Sequence, residues 1–254
     1  MSGFVPDQHS AEVRVSPNFG ERRDGLRPEI IILHYTGMIS GPAAEDWLCN
    51  PASEVSSHYL VHEHGRVVQM VREADRAWHA GKSSWHGVTD INSQSIGIEI
   101  VNPGHQLGYK PFPRKQIAAV IVLCQGIVER HRIRPEMVLA HSDVAPGRKI
   151  DPGEKFPWRT LAKAGVGHFV SPARRRAGAE LRAEDAGERV ERLQSMLARY
   201  GYGVETTGRY DKATATVVAA FQRHFRPARV DGMADRATVD TLTRLLATLP
   251  AAAI

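Results

Sequence analysis

The chain has 254 residues and a mass of 28.0 kDa, which suits one large domain or two unequal ones. Apolar residues make up 42% and charged residues 24%, and no apolar run approaches the roughly 18 residues of a membrane span, so a disordered chain and a membrane helix are both excluded. Lys and Arg number 33 against 28 Asp and Glu, a net charge of +5 that favours acidic partners in general and comes with no nucleic-acid motif, while two cysteines, Cys49 and Cys124, are too few for a disulfide framework. The 12 histidines are the one unusual count.

The opening stretch from Met1 to His9 lacks the apolar core of an export signal. The Arg22-Arg23 pair is followed by Asp24 and Gly25 rather than by such a core. The expectation is a cytoplasmic protein, or a periplasmic or envelope one if translation starts further upstream. Ile30-Ile31-Ile32-Leu33 reads as a strand buried on both faces. Ser57 to Val61 and Val67 to Val71 are two more strands, with His64-Gly65 as the turn between them. Ser95 to Val101 alternates, with β-branched residues on one face, and Met137 to Ala140 is the fifth strand. Between these last two, Ile117, Val120, Ile121, Cys124, Ile127 and Val128 recur at helical spacing. Strands interleaved with helices predict an α/β layered domain over residues 14–176.

From Ser171 to Gly187 the composition changes to Pro172, Arg174-Arg175-Arg176 and alternating Ala, Gly and Glu, which reads as a linker, with 177–187 as its limits. A small three-helix unit follows over 188–250. Its apolar stripes are Val190, Leu193, Leu197 and Tyr200; then Val217, Val218, Phe221 and Phe225; then Val239, Leu242, Leu245 and Leu246. The pattern G-x-x-D-[KR]-A-T occurs at Gly208 to Thr214 and again at Gly232 to Thr238, placing Asp211 and Asp235 to cap two helices.

Three ionisable groups sit at the ends of apolar strands, where a rigid sheet can hold tight geometry: His34 after Ile31-Ile32-Leu33, Glu99 inside Ile96-Gly97-Ile98-Glu99-Ile100, and His141 after Val138-Leu139-Ala140. Two imidazoles and a carboxylate are a recurrent catalytic zinc set, and His34, His141 and Asp151 are the candidates. Pro-Gly turns on both sides of Lys149 and Asp151 fix a short loop carrying a cation and a carboxylate two residues apart. Glu99 is a carboxylate in an apolar strand, and such groups are seldom buried without a partner. His62 and His64, beside the hairpin turn, are expected on the solvated surface. His9, His105, His131, His168 and His224 carry no functional expectation. Cys49 and Cys124 are expected as small core residues.

The blocks Ile32-Leu33-His34-Tyr35-Thr36, Ser56-Ser57-His58-Tyr59-Leu60-Val61, Ala77-Trp78-His79-Ala80-Gly81, Ser95-Ile96-Gly97-Ile98-Glu99 and Ala140 to Gly153 occur in an order that resembles the AmpD/AmiD-type N-acetylmuramoyl-L-alanine amidases, over residues 28 to 165. The tail, with Ala198 to Tyr202 and Phe221 to Pro227, resembles a peptidoglycan-binding three-helix domain, as in the AmiD branch. That resemblance implies a mixed central β-sheet flanked by helices, of the kind shared with peptidoglycan recognition proteins. It further implies a zinc hydrolase that cuts the amide between the lactyl group of N-acetylmuramic acid and L-alanine in peptidoglycan turnover or recycling. By matching positions, His34, His141 and Asp151 would hold Zn2+, Glu99 would be the acid/base and Lys149 would stabilise the oxyanion. Trp78-His79 would wall the sugar or peptide, and Trp158 is assigned to the core. The implied partners are peptidoglycan or muropeptide fragments, bound by a monomer with no nucleic acid and no membrane span. The competing reading is a non-catalytic peptidoglycan recognition protein, yet such proteins lack a ligand or the acid/base and this chain keeps all five residues. The branch with this tail is typically an envelope lipoprotein, and no lipid-attachment cysteine is visible here. Asp211 stands where many such tails have glycine, which predicts weakened glycan binding.

Overall fold

The computed structural model describes residues 4–174, 178 and 180–249. In chain order the elements are β1 (Glu12–Val13), β2 (Phe19–Gly20), β3 (Ile30–Tyr35), α1 (Gly41–Leu48), β4 (Tyr59–Val61), β5 (Val67–Gln69), β6 (Arg76–Ala77), α2 (Ile91–Gln94), β7 (Ser95–Ile100), α3 (Arg114–His131), β8 (Val138–Ala140), α4 (His141–Val144), α5 (Trp158–Lys163), α6 (Glu188–Tyr200), α7 (Lys212–Phe225) and α8 (Arg236–Ala247). Six strands form one sheet in the order β1-β5-β4-β7-β3-β8, and β2 pairs with β6 in a separate ribbon. Only β4 and β5 pair antiparallel within the large sheet, so it is mixed but mostly parallel, as expected. The three strands missing from the sequence reading, β1, β2 and β6, have two residues each, too few to show a period. β1 precedes residue 14, where the sequence places the start of the domain, and Asp7 is already tied to Gln69 and Glu73.

Period-two alternation sorts the two faces. Ile96, Ile98 and Ile100 of β7 enter the main core with the inner stripe of α3, whereas Leu60 of β4 joins Ala44, Leu48, Val68 and Met70 in a smaller core beneath α1. Cys124 belongs to the main core; Cys49 instead ends α1 half-buried, its thiol facing the Arg14 carbonyl. The surface expectation holds for His64 but not for His62, which is buried with its Nε2 2.6 Å from Glu45 Oε1. Gly41 opens α1 directly above that ring, leaving room that a Cβ would occupy, so the helix covers what the hairpin alone would expose.

Glu73, 2% exposed, ties the N-terminal end of the fold to α3: Tyr59 Oη, Arg130 Nη2 and His131 Nε2 lie 2.6, 2.6 and 2.7 Å from its oxygens. Burial disfavours its charge, but the hydrogen bonds from His131, Arg130 and Tyr59 outweigh it and hold the carboxyl at about 2 against an ordinary 4.5. A depressed carboxyl pKa contributes stability that is full above the unfolded value and is lost as pH falls toward the folded one; here that amounts to roughly 3 kcal/mol at neutral pH. Glu73→Gln is therefore expected to lower unfolding free energy by about 2–3 kcal/mol at pH 7 and by less than half as much at pH 3. Urea denaturation at the two pH values checks this, and an equal loss at both would contradict it.

The helical tail owes its form to a repeat. Gln194 of α6 accepts the N–H groups of Thr207 and Gly208 at 2.9 Å each, and Gln222 of α7 accepts those of Asp231 and Gly232 at 3.0 and 2.9 Å. Asp211 and Asp235 then cap α7 and α8 through Thr214 N–H and Thr238 N–H, both at 2.8 Å. Each copy of the sequence motif is one such turn, closed by a fully buried glutamine. Within the stretch expected to be a linker, residues 175–177 and 179 lie outside the described residues, as does Pro250 at the expected end of the tail. The described parts are fastened to the bundle: Ala173 N–H donates to Thr241, Leu181 bridges Ala234, and Ala186 bridges Arg209. No helix among the described residues is long and apolar enough to cross a membrane.

Candidate metal centre and active site

Parallel strands end together at their carboxyl edge, and the crevice beyond that edge is where open α/β sheets place ligands. Here β3, β7 and β8 are neighbours and deliver His34, Glu99 and His141 to that edge. His34 and Glu99 are register partners on adjacent strands, so their side chains share a face. His141 opens α4 straight after β8, and the chain returns to it through Asp151, whose carbonyl accepts Ser142 N–H at 3.0 Å.

His34 Nδ1, His141 Nδ1 and Asp151 Oδ2 form a triangle with sides of 2.9, 3.0 and 3.1 Å, and all three residues are buried. Donors around a tetrahedral zinc with bonds of roughly 2.0–2.1 Å stand roughly 3.3 Å apart, so the set is close to the size such an ion needs. The proton inventory is more telling. His141 Nε2 lies 3.1 Å from the Ala80 carbonyl and 3.4 Å from Arg148 Nη2, whose own short bond goes to that carbonyl; the closer acceptor assigns the ring's proton to Nε2. Ser95 gives its hydroxyl proton to the Ile91 carbonyl at 2.6 Å, so it accepts from His79 Nε2 at 3.2 Å. His79 Nδ1 is then an acceptor, and His34 Nε2, 3.1 Å away, must be the donor. Both Nδ1 atoms are left as bare lone pairs pointing at a carboxylate oxygen. Three acceptors about 3 Å apart, with no donor among them, need a cation. Burial pushes His34 down to about 4, with the neighbouring His141 charge adding to the effect, which keeps the ring neutral and able to ligate near pH 7. Burial opposes the charge of Asp151 as well, yet the two imidazoles hold its carboxyl far below the usual range.

Glu99 Oε2 is buried and has no hydrogen-bond partner among the described residues. Burial raises its carboxyl well above the ordinary value, the Asp151 charge adds to this and Lys149 opposes it. A raised, partnerless carboxyl beside a site is the property of a group that takes up and gives back a proton. The Lys149 ammonium makes no hydrogen bond or ion pair among the described residues and lines the same cleft. That cleft, of about 500 Å³, runs from the triangle out to Trp47, Val55 and Trp78.

The residues selected from sequence are thus brought together. Trp78 is in the cleft wall, and so is His79, but that ring is also clamped between His34 and Ser95 and orients the His34 ring. Its seat exists because β7 has glycine at position 97: a Cβ there would lie 2.5 Å from His79 Cγ. Four residues of the site had no assignment: Tyr35, Trp47, His105 and Arg148 all line the cleft. Tyr35 and Arg148 are chain neighbours of His34 and Lys149, a signal that was available. Arg148 donates from Nε to Lys82 O at 3.0 Å and from Nη2 to Ala80 O, bracing the carbonyl that holds His141. His105, which bonds Tyr35 Oη at 3.1 Å and Glu154 at 3.0 Å, sits in a turn with no pattern to mark it. Trp158 is buried, as expected, and stacks on His224.

The sequence profile of the N-acetylmuramoyl-L-alanine amidases matches residues 24–154, and that of a peptidoglycan-binding domain matches residues 186–242. The chain is 40% identical over 230 residues to the N-acetylmuramoyl-L-alanine amidase AmiD of Escherichia coli strain K12, covering 84% of this chain and 80% of that one. It is 30% identical over 160 residues to the 1,6-anhydro-N-acetylmuramyl-L-alanine amidase AmpD of the same strain, which covers 56% of this chain and 85% of AmpD. The solved structure of Escherichia coli AmiD with anhydro-N-acetylmuramic acid-L-Ala-D-gamma-Glu-L-Lys superimposes with a TM-score of 0.74 at 36% identity, covering 91% of this chain and 97% of that one.

Proposed function

Because the chain belongs to the N-acetylmuramoyl-L-alanine amidase family, we propose that it is a zinc-dependent amidase acting on the bond between the lactyl group of N-acetylmuramic acid and L-alanine in peptidoglycan fragments. The metal reading is carried by the convergence of His34 Nδ1, His141 Nδ1 and Asp151 Oδ2 with both ring protons committed elsewhere. Two neutral imidazoles and a carboxylate suit zinc better than the hard, oxygen-seeking Mg2+ or Ca2+. When bound, zinc supplies Lewis acidity that polarises the carbonyl and brings the pKa of water toward neutrality.

The remaining work falls to side chains. A water oxygen bonds to the lactyl carbonyl carbon while the Glu99 carboxylate, which lines the cleft, accepts its proton. Glu99 then returns a proton to the alanine nitrogen as the C–N bond breaks, leaving a muramic carboxylate and a free peptide amine. Negative charge that develops on the carbonyl oxygen is met by the Lys149 ammonium, which no other group engages among the described residues. Trp47 and Trp78 offer flat apolar walls for the sugar or peptide, and the basic excess of the chain suits a substrate rich in peptide carboxylates.

The test uses anhydro-N-acetylmuramic acid-L-Ala-D-γ-Glu-L-Lys, the compound bound in the AmiD complex, with products read by mass spectrometry. Zinc-loaded enzyme is expected to release the free tripeptide. Dialysis against a chelator should abolish release, and one equivalent of zinc should restore it. No tripeptide from zinc-loaded enzyme would defeat the activity; full turnover after verified metal removal would defeat the metal.

A further inference from the structure

Asp143 is the third residue of α4, two positions from His141, and is fully buried. Its carboxylate has three donors. Ala140 N–H reaches Oδ2 at 2.8 Å; the other two, Tyr202 Oη to Oδ1 at 2.7 Å and His224 Nδ1 to Oδ2 at 2.6 Å, come from the C-terminal helical unit. Neither donor is free to wander. The Tyr202 ring meets Trp85 edge to face at 4.9 Å, and the His224 ring stacks on Trp158 of the catalytic unit at 3.7 Å.

A single helical turn has no stability of its own in water, because nucleation costs more order than its few hydrogen bonds return. α4 therefore takes its position from what grips it, and its one buried charge is gripped by the tail. Without those donors a sealed carboxylate keeps only the Ala140 N–H and has to move toward water, which shifts the turn that begins with His141. Building on the metal reading above, we propose that the C-terminal unit is part of the metal centre's scaffold: Tyr202 and His224, acting through Asp143, are positioning residues that set where His141 presents its Nδ1.

The test is made on the full chain, stripped of metal and titrated with Zn2+ against a chromophoric chelator, and with Co2+ read by its visible spectrum. The double variant Tyr202→Phe with His224→Phe keeps both rings and removes both donors. It is expected to bind Zn2+ about 10-fold more weakly, the lower end of the roughly 10–100-fold cost of losing a group bonded directly to a ligand because these donors act one step further out, and to give an altered Co2+ spectrum. His168→Phe is the control: it removes the seam bonds to Tyr200 at 2.9 Å and Thr248 at 2.8 Å without touching Asp143, and should leave zinc affinity and the Co2+ spectrum unchanged. His224→Asn, which restores an N–H donor, should recover part of the affinity lost by His224→Phe. A folded double variant with wild-type affinity and spectrum overturns the proposal, as does an equal loss in the control. Should the double variant fail to fold, Tyr202→Phe alone is read by the same titrations, with the same outcomes deciding. Wild-type protein that binds neither ion would instead defeat the metal reading itself, and this proposal with it.

Discussion

Asp151→Ala is expected to abolish both zinc binding and amide cleavage while leaving the fold in place. Among the described residues the carboxylate supplies the only negative charge within 3.1 Å of the two Nδ1 atoms, which lie 2.9 Å from each other. Without it, two neutral donors remain, and the ion's charge is no longer balanced in a buried site. Loss of an outer partner already weakens a metal site roughly 10–100-fold, so loss of a direct ligand should exceed that. β3 and β8 are held by sheet pairing on the far side of His34 and His141, which is why the far-ultraviolet spectrum should not change. Elemental analysis after dialysis gives the first readout and tripeptide release the second. One zinc per chain with normal turnover in this variant would refute the ligand set.

Glu99→Gln should dissociate the two readouts. The amide keeps the shape of the carboxyl but cannot take a proton, so turnover is expected to fall by about 10²–10⁴-fold with zinc content unchanged. The direction of the stability change is informative too. Glu99 Oε2 is buried without a partner among the described residues, and its charge is opposed by both burial and Asp151. A neutral amide removes that opposition, and the melting temperature should rise. A variant that lost zinc along with activity would make Glu99 a ligand or its support; one that turned over normally would remove it from the mechanism.

His34 and His141 were readable because each closes an apolar run. Ile31-Ile32-Leu33 can only be a buried strand, and a histidine at its end has to have a reason to be there. The same logic holds for Ala140-His141 and for Glu99 within an isoleucine-rich strand. What escaped was everything fixed by partners far away in sequence. His62 is buried because Glu45 lies above it, and His224 because Asp143, 81 residues earlier, needs a donor. Arg22, which as sequence suggests only a failed export signal, sends its guanidinium to the carbonyls of Glu73, Ser93 and Ser95. Local pattern carries no trace of such pairings, since any arginine can serve and the acceptors are main-chain oxygens. The junction between the two units is legible only in part for the same reason: composition marks a linker, and the bonds of Ala173 and Leu181 to the bundle leave no trace in it.

The seam beneath α4 has a bearing on how such a chain can change over generations. Gly201 passes so close to Trp85 that a methyl group there would overlap the indole, and Thr216 reaches within 2.7 Å of where a side chain on Gly147 would begin. Recombination that swapped in a bundle from another protein would meet a mismatched mould, whatever that bundle's taste for sugars. A larger residue at either glycine would need room made by the side chain opposite, so the two halves fit as one object although they read as two.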